Sequence, residues 1–282
     1  MRHAVIGDVG GQREALEAEL EALGADLSHG QLPEDLTIVQ LGDLVHRGPD
    51  SDGVLALVGR FLEASGDRWI QLAGNHEAQY LRHPAFHWRD WVSSESADML
   101  PGWWADGRMR AAAGCQHRTG AVLVIHAGLT QGFWRRGLGA PVSAELAADL
   151  LNAMARDGSA SLYRPGSPAD GHARPPGRPL RAHTGRELVP SWLGQRLPFG
   201  QVHGHDSLYD WGQRQWRATE AVIRHTTLDR ARSHETTGFA VGAIIGVDPE
   251  HGVQARADWR AWSPSTDGCH YFMPEVSTPS TR

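Results

Sequence analysis

Residues 36–49 read LTIVQLGDLVHRGP, a short apolar run rich in Val and Ile that ends abruptly at a glycine and an acidic residue. Such a run predicts a buried strand. Four further runs end in the same way, at glycine, asparagine or histidine, and they cover residues 3–6, 69–73, 121–125 and 197–202. A sixth run, at residues 238–248, predicts a late strand or hairpin.

Two segments between the first three runs carry apolar residues at helical spacing. In residues 12–23, Leu16, Leu20 and Leu23 follow an i, i+4, i+7 pattern, and Gly24 marks the end of the helix. The second pattern lies within residues 54–62, and three residues that cap helices well precede it: Asp50, Ser51 and Asp52. Strands that alternate with helices predict an α/β architecture.

The composition is that of a folded protein, with 282 residues, 40% hydrophobic and 21% charged. We assign residues 1–262 to one domain and residues 263–282 to a polar tail. Within the domain, the Trp-rich residues 83–118 are predicted to form a helical insertion or cap. Residues 164–181, rich in proline and glycine, are predicted to form a surface loop.

Charge and cysteine content exclude several classes of function. The 27 basic and 33 acidic residues give a net charge of −6, which disfavours binding to a nucleic-acid polymer. Two cysteines are too few for a disulfide framework or a thiolate zinc site. No apolar stretch is long enough for a membrane span or a signal peptide. We therefore expect a soluble, cytoplasmic protein with no membrane partner.

Polar residues suited to metal binding follow five of the predicted strands, at residues 3–6, 36–41, 69–73, 121–125 and 197–202. Ligands and catalytic groups of α/β folds gather at the carboxyl ends of strands. Mixed oxygen and nitrogen donors without thiolates suit a divalent ion, with manganese as the first choice and iron or zinc as alternatives. The candidate ligands are Asp8, Asp43, Asn75, His126, His203 and His205.

Each of these residues alone has an ordinary explanation. A Gly-Asp pair after a strand is usually turn chemistry, because aspartate tolerates tight turns. A single histidine after a strand is more often packed or exposed than bound to a metal. The occurrence of all six residues, in order, at the ends of five strands favours a metal site.

The series resembles the calcineurin-like metallophosphoesterase superfamily, whose usual signature is Asp-x-His, Gly-Asp, Gly-Asn-His-Asp/Glu, His-Gly/Ala-Gly and a final Gly-His-x-His or His-Gly-His block. All five blocks lie within residues 8–205. Residues 42–49 are similar to the branch of serine/threonine protein phosphatases and symmetrical diadenosine tetraphosphatases. Residues 126–130, followed by Trp134, resemble the tetraphosphatases more closely.

The resemblance implies a two-sheet β-sandwich flanked by helices, the metallo-dependent phosphatase fold. It also implies one ion on Asp8, Asp43 and His205, and a second on Asp43, Asn75, His126 and His203. His76 would be the general acid, and would contact the substrate with Asn75. Arg47 would bind phosphate, because its guanidinium fork fits two phosphate oxygens. Arg164 matches the family's aromatic-x-Arg loop more weakly and would be a second phosphate ligand.

Two positions depart from the family pattern. Gly10 stands where the first block has a histidine, so one ligand is missing. Three outcomes are open: water fills the position, another side chain replaces the histidine, or only the second ion binds. The candidate side chains near in sequence are His46, His3 and Gln12. His46 stands where many protein phosphatases have an aspartate that orients the catalytic histidine, and it is either a neighbour of His76 or a solvent-facing loop residue.

The resulting prediction is a metal-dependent phosphoesterase that hydrolyses a phosphate monoester or phosphoanhydride with metal-activated water. The substrate is expected to be small, phosphorylated and nucleotide-like. Two alternatives remain at this stage. One is a phosphoprotein phosphatase, and the other is a catalytically impaired binding module, which Gly10 favours. The presence of His76 and Arg47 argues against the binding module, since a scaffold needs neither a general acid nor a phosphate ligand.

Overall fold

The computed structural model describes residues 1–81, 88–117, 120–162, 179–263 and 270–271 of the chain. In these ranges the helices are α1 (Arg13–Leu23), α2 (Ser51–Ala64), α3 (Ser94–Ala105), α4 (Gln131–Arg136), α5 (Ala144–Arg156), α6 (Val189–Trp192) and α7 (Glu220–Ile223). The strands are β1 (Arg2–Ile6), β2 (Leu36–Gln40), β3 (Trp69–Leu72), β4 (Met109–Arg110), β5 (Ala112–His117), β6 (Gly120–Ile125), β7 (Gly200–His203), β8 (Tyr209–Asp210), β9 (Gln215–Trp216), β10 (Thr226–Asp229), β11 (His234–Gly238), β12 (Ala243–Gly246) and β13 (His270–Tyr271).

Two sheets contain most of the strands. The first has the order β1-β2-β3-β4, and all its strands are parallel. The second has the order β10-β11-β12-β7-β6-β5-β13; its central strands β12, β7 and β6 are parallel, and the outer pairs are antiparallel. Strands β8 and β9 form a separate hairpin. Parallel pairing places the carboxyl ends of neighbouring strands at one edge of each sheet.

The sheets pack face to face through a buried apolar layer. Val5, Val39 and Ile70 of the first sheet share this layer with Val124 and Val202 of the second. Helices α1, α2 and α3 cover the outer face of the first sheet, and α4 and α5 cover that of the second. The prediction of a two-sheet sandwich flanked by helices is therefore confirmed.

Helix α1 ends, and helix α2 begins, where the sequence predicts. Asp50 is the residue that caps α2: its Oδ1 accepts a hydrogen bond of 2.8 Å from the Gly53 amide, which satisfies one of the open donors of the first turn. At the end of α1, Gly24 adopts the left-handed conformation with φ of 91°. Glycine is favoured there because it has no Cβ to clash with the preceding turn.

The Trp-rich segment at residues 83–118 differs from the predicted helical cap. It contains α3, but β4 and β5 follow and join the first and second sheets, respectively. Residues 109–117 read MRAAAGCQH, which lacks the β-branched residues typical of strands. Pairing with β6 along the whole of β5 imposes the strand conformation instead.

The C-terminal boundary also differs from the prediction. Strand β13 lies within the predicted polar tail at residues 263–282 and pairs antiparallel with β5. A strand of two residues has no periodicity by which the sequence would reveal it. The predicted loop at residues 164–181 lies outside the described residues except for residues 179–181. In the described part of the chain, no helix has the length and apolar character needed to cross a membrane.

Glu235 on β11 is a buried carboxyl group whose pKa is raised to about 8, mainly because burial disfavours its charge. Its oxygens accept hydrogen bonds from the backbone amides of Leu208 and Tyr209. Those bonds favour the ionised form, whereas the negative charge at Asp206 disfavours it. At neutral pH the folded protein therefore holds a proton on Glu235 that the unfolded chain releases.

We expect Glu235→Gln to stabilise the protein in a pH-dependent way. Below the unfolded pKa of 4.5 both states are protonated; as the pH rises to about 8, only the unfolded state gains from ionisation, so the wild type loses stability. The variant should match the wild type at about pH 4 and be more stable by roughly 2–4 kcal/mol at about pH 8. Thermal unfolding at both pH values measures this, with the exposed Glu34→Gln as control. Equal differences at the two pH values would contradict the prediction.

Candidate active site

The predicted ligands lie at the carboxyl ends of β1, β2, β3, β6 and β7, where the two sheets meet. Asp8, Asp43 and Asn75 follow strands of the first sheet, and His126 follows β6 of the second. The Oδ1 of Asn75 lies 3.0 Å from the Nε2 of His126, so the two sheets contribute to one cluster. His203 ends β7, and the amide of His205 donates a hydrogen bond of 2.9 Å to Asp8 Oδ1.

The Gly-Asp and Gly-Asn turns pack directly against each other. Gly42 has φ of 92°, and a Cβ there would lie 2.2 Å from the Gly74 amide nitrogen. A Cβ on Gly74 would lie 2.1 Å from Asp43 Oδ1. Both glycines are therefore required for the carboxylate of Asp43 to reach its position. Asp43 itself has φ of 52°, and His205 has φ of 69°. Left-handed conformations at residues other than glycine are strained, and such strain concentrates at functional sites.

Three side chains form the closest group of potential metal ligands in the described residues. One atom each of Asp43, His126 and His205 lies within 4.8 Å of the others. Asp43 Oδ1 is 3.4 Å from His126 Nε2. The Nδ1 of His126 is 2.9 Å from the carbonyl oxygen of Leu41 and donates to it, which leaves Nε2 as the ligand atom. The family resemblance assigns His205 to one ion, His126 to the other and Asp43 to both. In the structure these three side chains lie in one group.

The protonation states suit a divalent cation. Burial lowers the pKa of His203 to about 4, and burial with His126 nearby lowers that of His205 to about 3, so both rings are neutral at pH 7. Burial alone would raise the pKa of Asp43. The imidazoles of His76, His126 and His205, which are cationic at the acid pH where this carboxyl group titrates, lower its pKa below the ordinary value. Burial, followed by the charges of Asp248 and Asp43, raises the pKa of Asp8.

At this site, two buried carboxylate oxygens, Asp8 Oδ2 and Asp43 Oδ2, have no hydrogen-bond partner among the described residues. An unpaired buried carboxylate oxygen costs several kcal/mol unless a cation compensates its charge. These oxygens lie beside neutral imidazoles and the amide of Asn75, a donor set that fits a transition metal without thiolates. The residues present therefore fit a divalent metal ion.

His76 is fully buried beside Asp43. Its amide donates a 3.0 Å hydrogen bond to Asp43 Oδ1, and its Nε2 is 3.6 Å from Asp43 Oδ2. The ring of Trp88 covers it, with 3.9 Å between the ring centroids. Burial lowers the pKa of His76, and the negative charge of Asp43 opposes this shift.

Glu77 holds the two metal-binding turns together, a role that the sequence analysis missed. Its Oε2 accepts hydrogen bonds from the amides of Asp43 and Gly74, and its Oε1 accepts one from Leu44, each 2.8 Å long. The side chain is fully buried. Its position directly after the Gly-Asn-His block was the signal from which this role could have been predicted.

Arg47 is exposed in the loop that follows β2. Burial disfavours its charge, but the carboxylates of Asp43, Asp248 and Asp8 raise its pKa, so it stays cationic. Its guanidinium carbon is 6.0 Å from the centroid of the Trp88 ring. None of the described residues accepts a hydrogen bond from its guanidinium, which leaves the donors available to a phosphate. Arg164 lies outside the described residues.

The structure brings none of the three suggested replacements for the missing histidine to Asp8. The ring of His46 contacts His76 and Tyr80, and the Nε2 of Gln12 donates to the carbonyl oxygen of Gly252 at 2.7 Å. His3 lies within β1, where it pairs with Thr37. Asp248 is the carboxylate that the sequence analysis overlooked: it follows β12, is buried, and its charge raises the pKa of Asp8.

Oxygen and nitrogen atoms that could hold a metal ion, beside an arginine and a buried histidine, are the arrangement expected of the metal-dependent phosphoesterases. The family model of the calcineurin-like phosphoesterases matches residues 1–224. The chain therefore belongs to the calcineurin-like phosphoesterase family, whose members use divalent metals.

Similarity to individual proteins is partial. A symmetrical bis(5'-nucleosyl)-tetraphosphatase of Delftia acidovorans is 40% identical over 76 residues, which cover 27% of this chain and 24% of that protein. The match thus spans about a quarter of the relative's length. A solved structure of a candidate diadenosine tetraphosphatase is 21% identical, with 88% and 83% coverage of the two chains and a TM-score of 0.41. A serine/threonine phosphatase from Saccharomyces cerevisiae is 16% identical, with 88% and 68% coverage and a TM-score of 0.45.

Proposed function

We propose that the protein hydrolyses a phosphate monoester or phosphoanhydride in a small, nucleotide-like substrate, with the help of one or two divalent metal ions. The observation that carries the proposal is the environment of Asp43. Its carboxylate lies between His126 and His76, and its Oδ2 has no hydrogen-bond partner among the described residues. A buried negative charge in that position is compensated by a cation. The adjacent His76 and Arg47 supply a proton donor for the leaving oxygen and a positive charge for the phosphate oxygens.

The metal would be held by all or some of the six strand-end residues, and manganese remains the first choice over iron or zinc. When bound, the metal supplies an activated water and positive charge beside the phosphoryl group. The six residues are Asp8, Asp43, Asn75, His126, His203 and His205.

Proton donation and phosphate binding belong to other side chains of the site. His76 donates a proton from Nε2 to the leaving oxygen, because Nε2 is its ring nitrogen on the Asp43 side. Arg47 binds two oxygens of the phosphate through its fork. Asn75 and His76, which follow β3, contact the substrate at the edge where the carboxyl ends of the strands lie. Arg164 would be a further phosphate ligand, as the resemblance implies.

The substrate class rests on two observations. The relative from Delftia acidovorans is named for a dinucleoside polyphosphate. In addition, the Trp88 ring lies beside both His76 and Arg47, where an aromatic surface can stack on a nucleobase. A phosphoprotein substrate has no comparable support in the structure. The presence of His76 argues against a binding module without activity, as does Arg47, whose guanidinium donates to none of the residues that the structure describes.

Phosphate release by metal-stripped protein tests this proposal. The panel contains nucleotides, dinucleoside tetraphosphates and a phosphopeptide, each with and without added Mn²⁺. We expect metal-dependent turnover, with kcat/KM for the best nucleotide at least about tenfold above that for the phosphopeptide, a difference of 1.4 kcal/mol. Preference for the phosphopeptide would overturn the substrate class. Absence of turnover with every metal, in a protein that binds the metal, would favour the binding module.

A further inference from the structure

His46 has an unusual set of contacts for a residue in an active-site loop. It is only 2% exposed, although Arg47 beside it is exposed, and its backbone adopts the left-handed φ of 72°. That conformation turns its ring inward, between His76 and Tyr80. Its Nδ1 lies 3.2 Å from Nδ1 of His76, and its Nε2 lies 2.6 Å from the hydroxyl oxygen of Tyr80. The imidazole therefore bridges the two side chains.

We propose that His46 is a positioning residue for His76, and that Tyr80 fixes His46 in the orientation this role requires. The inference rests on the proposed function, in which His76 is the proton donor. His46 does not reach the substrate in this arrangement. It acts by holding the His76 ring with Nε2 directed to the reacting phosphate.

The hydrogen-bond partners determine where the protons lie. The carbonyl oxygen of Val45 is 3.0 Å from His76 Nδ1 and can only accept, so Nδ1 of His76 carries a hydrogen. His46 Nδ1 is then an acceptor for the same hydrogen. A neutral His46 carries its own hydrogen on Nε2, which donates to the oxygen of Tyr80. That oxygen also accepts a 3.2 Å hydrogen bond from the amide of Val92, which holds it in place.

This arrangement leaves Nε2 as the nitrogen of His76 that exchanges protons with a substrate. Nε2 is buried and has no hydrogen-bond partner among the described residues. The donor form of His76 is the imidazolium, which carries hydrogens on both Nδ1 and Nε2. When the bond from phosphorus to the leaving group breaks, its electron pair stays on the leaving oxygen, which takes the Nε2 proton and leaves a neutral ring with its hydrogen on Nδ1. Water supplies the new oxygen on phosphorus. A ring that rotates away from this orientation would lose the transfer even though the metal ligands were intact.

The role can be separated from a general structural effect by the choice of leaving group. An alkyl phosphate needs protonation of its leaving oxygen, whereas an aryl phosphate with an acidic phenol needs little. We expect His46→Leu to lower kcat for the alkyl phosphate by about 30–100-fold, within the usual range for general acid catalysis. The same variant should lower kcat for the aryl phosphate by less than about threefold, and KM for both should change little.

Two further variants test the contacts themselves. His46→Asn places an amide oxygen near the position of Nδ1, so it should restore most of the alkyl phosphate activity. Tyr80→Phe removes the partner of Nε2 and should reproduce part of the defect of His46→Leu. His29→Asn, at an exposed position, is the matched control. Metal content and thermal unfolding of each variant show whether the site and the fold persist.

The outcomes separate the inference from the proposed function. If the wild type hydrolyses both substrates and His46→Leu lowers both rates equally, the positioning role is wrong and the hydrolase stands. Failure of His46→Asn to restore activity, with normal metal content, would also overturn it. If the wild type hydrolyses neither these two substrates nor any member of the nucleotide panel with any metal, the proposed function fails and the positioning role fails with it.

Discussion

Asp43→Asn should reduce metal-dependent phosphate release by about 10²–10³-fold or more, the largest effect that we expect of a single substitution on activity. Asparagine has the size of aspartate and can still accept the hydrogen bond from the His76 amide. It lacks the negative charge, and its amide group would direct hydrogens at the neighbouring imidazoles. Because Asp43 belongs to the group with His126 and His205, the variant should also bind metal more weakly.

Two readouts separate these effects from unfolding. Metal bound after dialysis is measured by mass spectrometry, and the fold is monitored by circular dichroism. Asp35→Asn is the matched control, because Asp35 is exposed at the opposite end of β2, where it pairs with Arg2. A folded Asp43→Asn protein that retains both metal and more than about a tenth of the wild-type rate would show that Asp43 is not a metal ligand.

The sequence predicted the location of the candidate site because each motif combines a local signal with a topological rule. Asp8, Asp43 and Asn75 each follow a short apolar run, and parallel pairing brings the ends of such runs together whatever their order along the chain. The rule also applied to His126 and His203 in the second sheet. It would have included Asp248, which follows β12, had we extended it to the last predicted strand.

Other features depend on contacts that a single sequence does not encode locally. Strand β5 reads AAGCQH and has no β-branched residue, so its conformation comes from pairing with β6 rather than from its own propensity. The inward orientation of His46 depends on a left-handed backbone at a residue other than glycine. The contact of His46 with Tyr80 joins residues 34 positions apart. Such contacts become visible only when the turns after β2 and β3 are placed side by side.

Glu77→Ala should destabilise the protein by about 3–5 kcal/mol, the largest effect on stability that we expect, because it removes a buried acceptor from three backbone donors at once. The amides of Asp43, Leu44 and Gly74 would then lose their side-chain acceptor in a fully buried environment. Burial and the charge of Asp43 raise the pKa of Glu77 to about 7, so part of the carboxylate's benefit is already offset by the cost of its charge.

Glu77→Gln distinguishes the hydrogen bonds from the charge. One amide oxygen can accept from Asp43 and Gly74, while the amino group faces the donor of Leu44, so we expect a smaller loss of about 1–3 kcal/mol. Urea unfolding of both variants measures the two losses, with the exposed Glu63→Ala expected to stay within about 0.5 kcal/mol of the wild type. Equal losses for alanine and glutamine would mean that the charge of Glu77, rather than its acceptor geometry, holds the two turns together. In that case Glu77 would act at the site through its negative charge. The turns carrying Asp43 and Asn75 would then depend on metal binding for their mutual position.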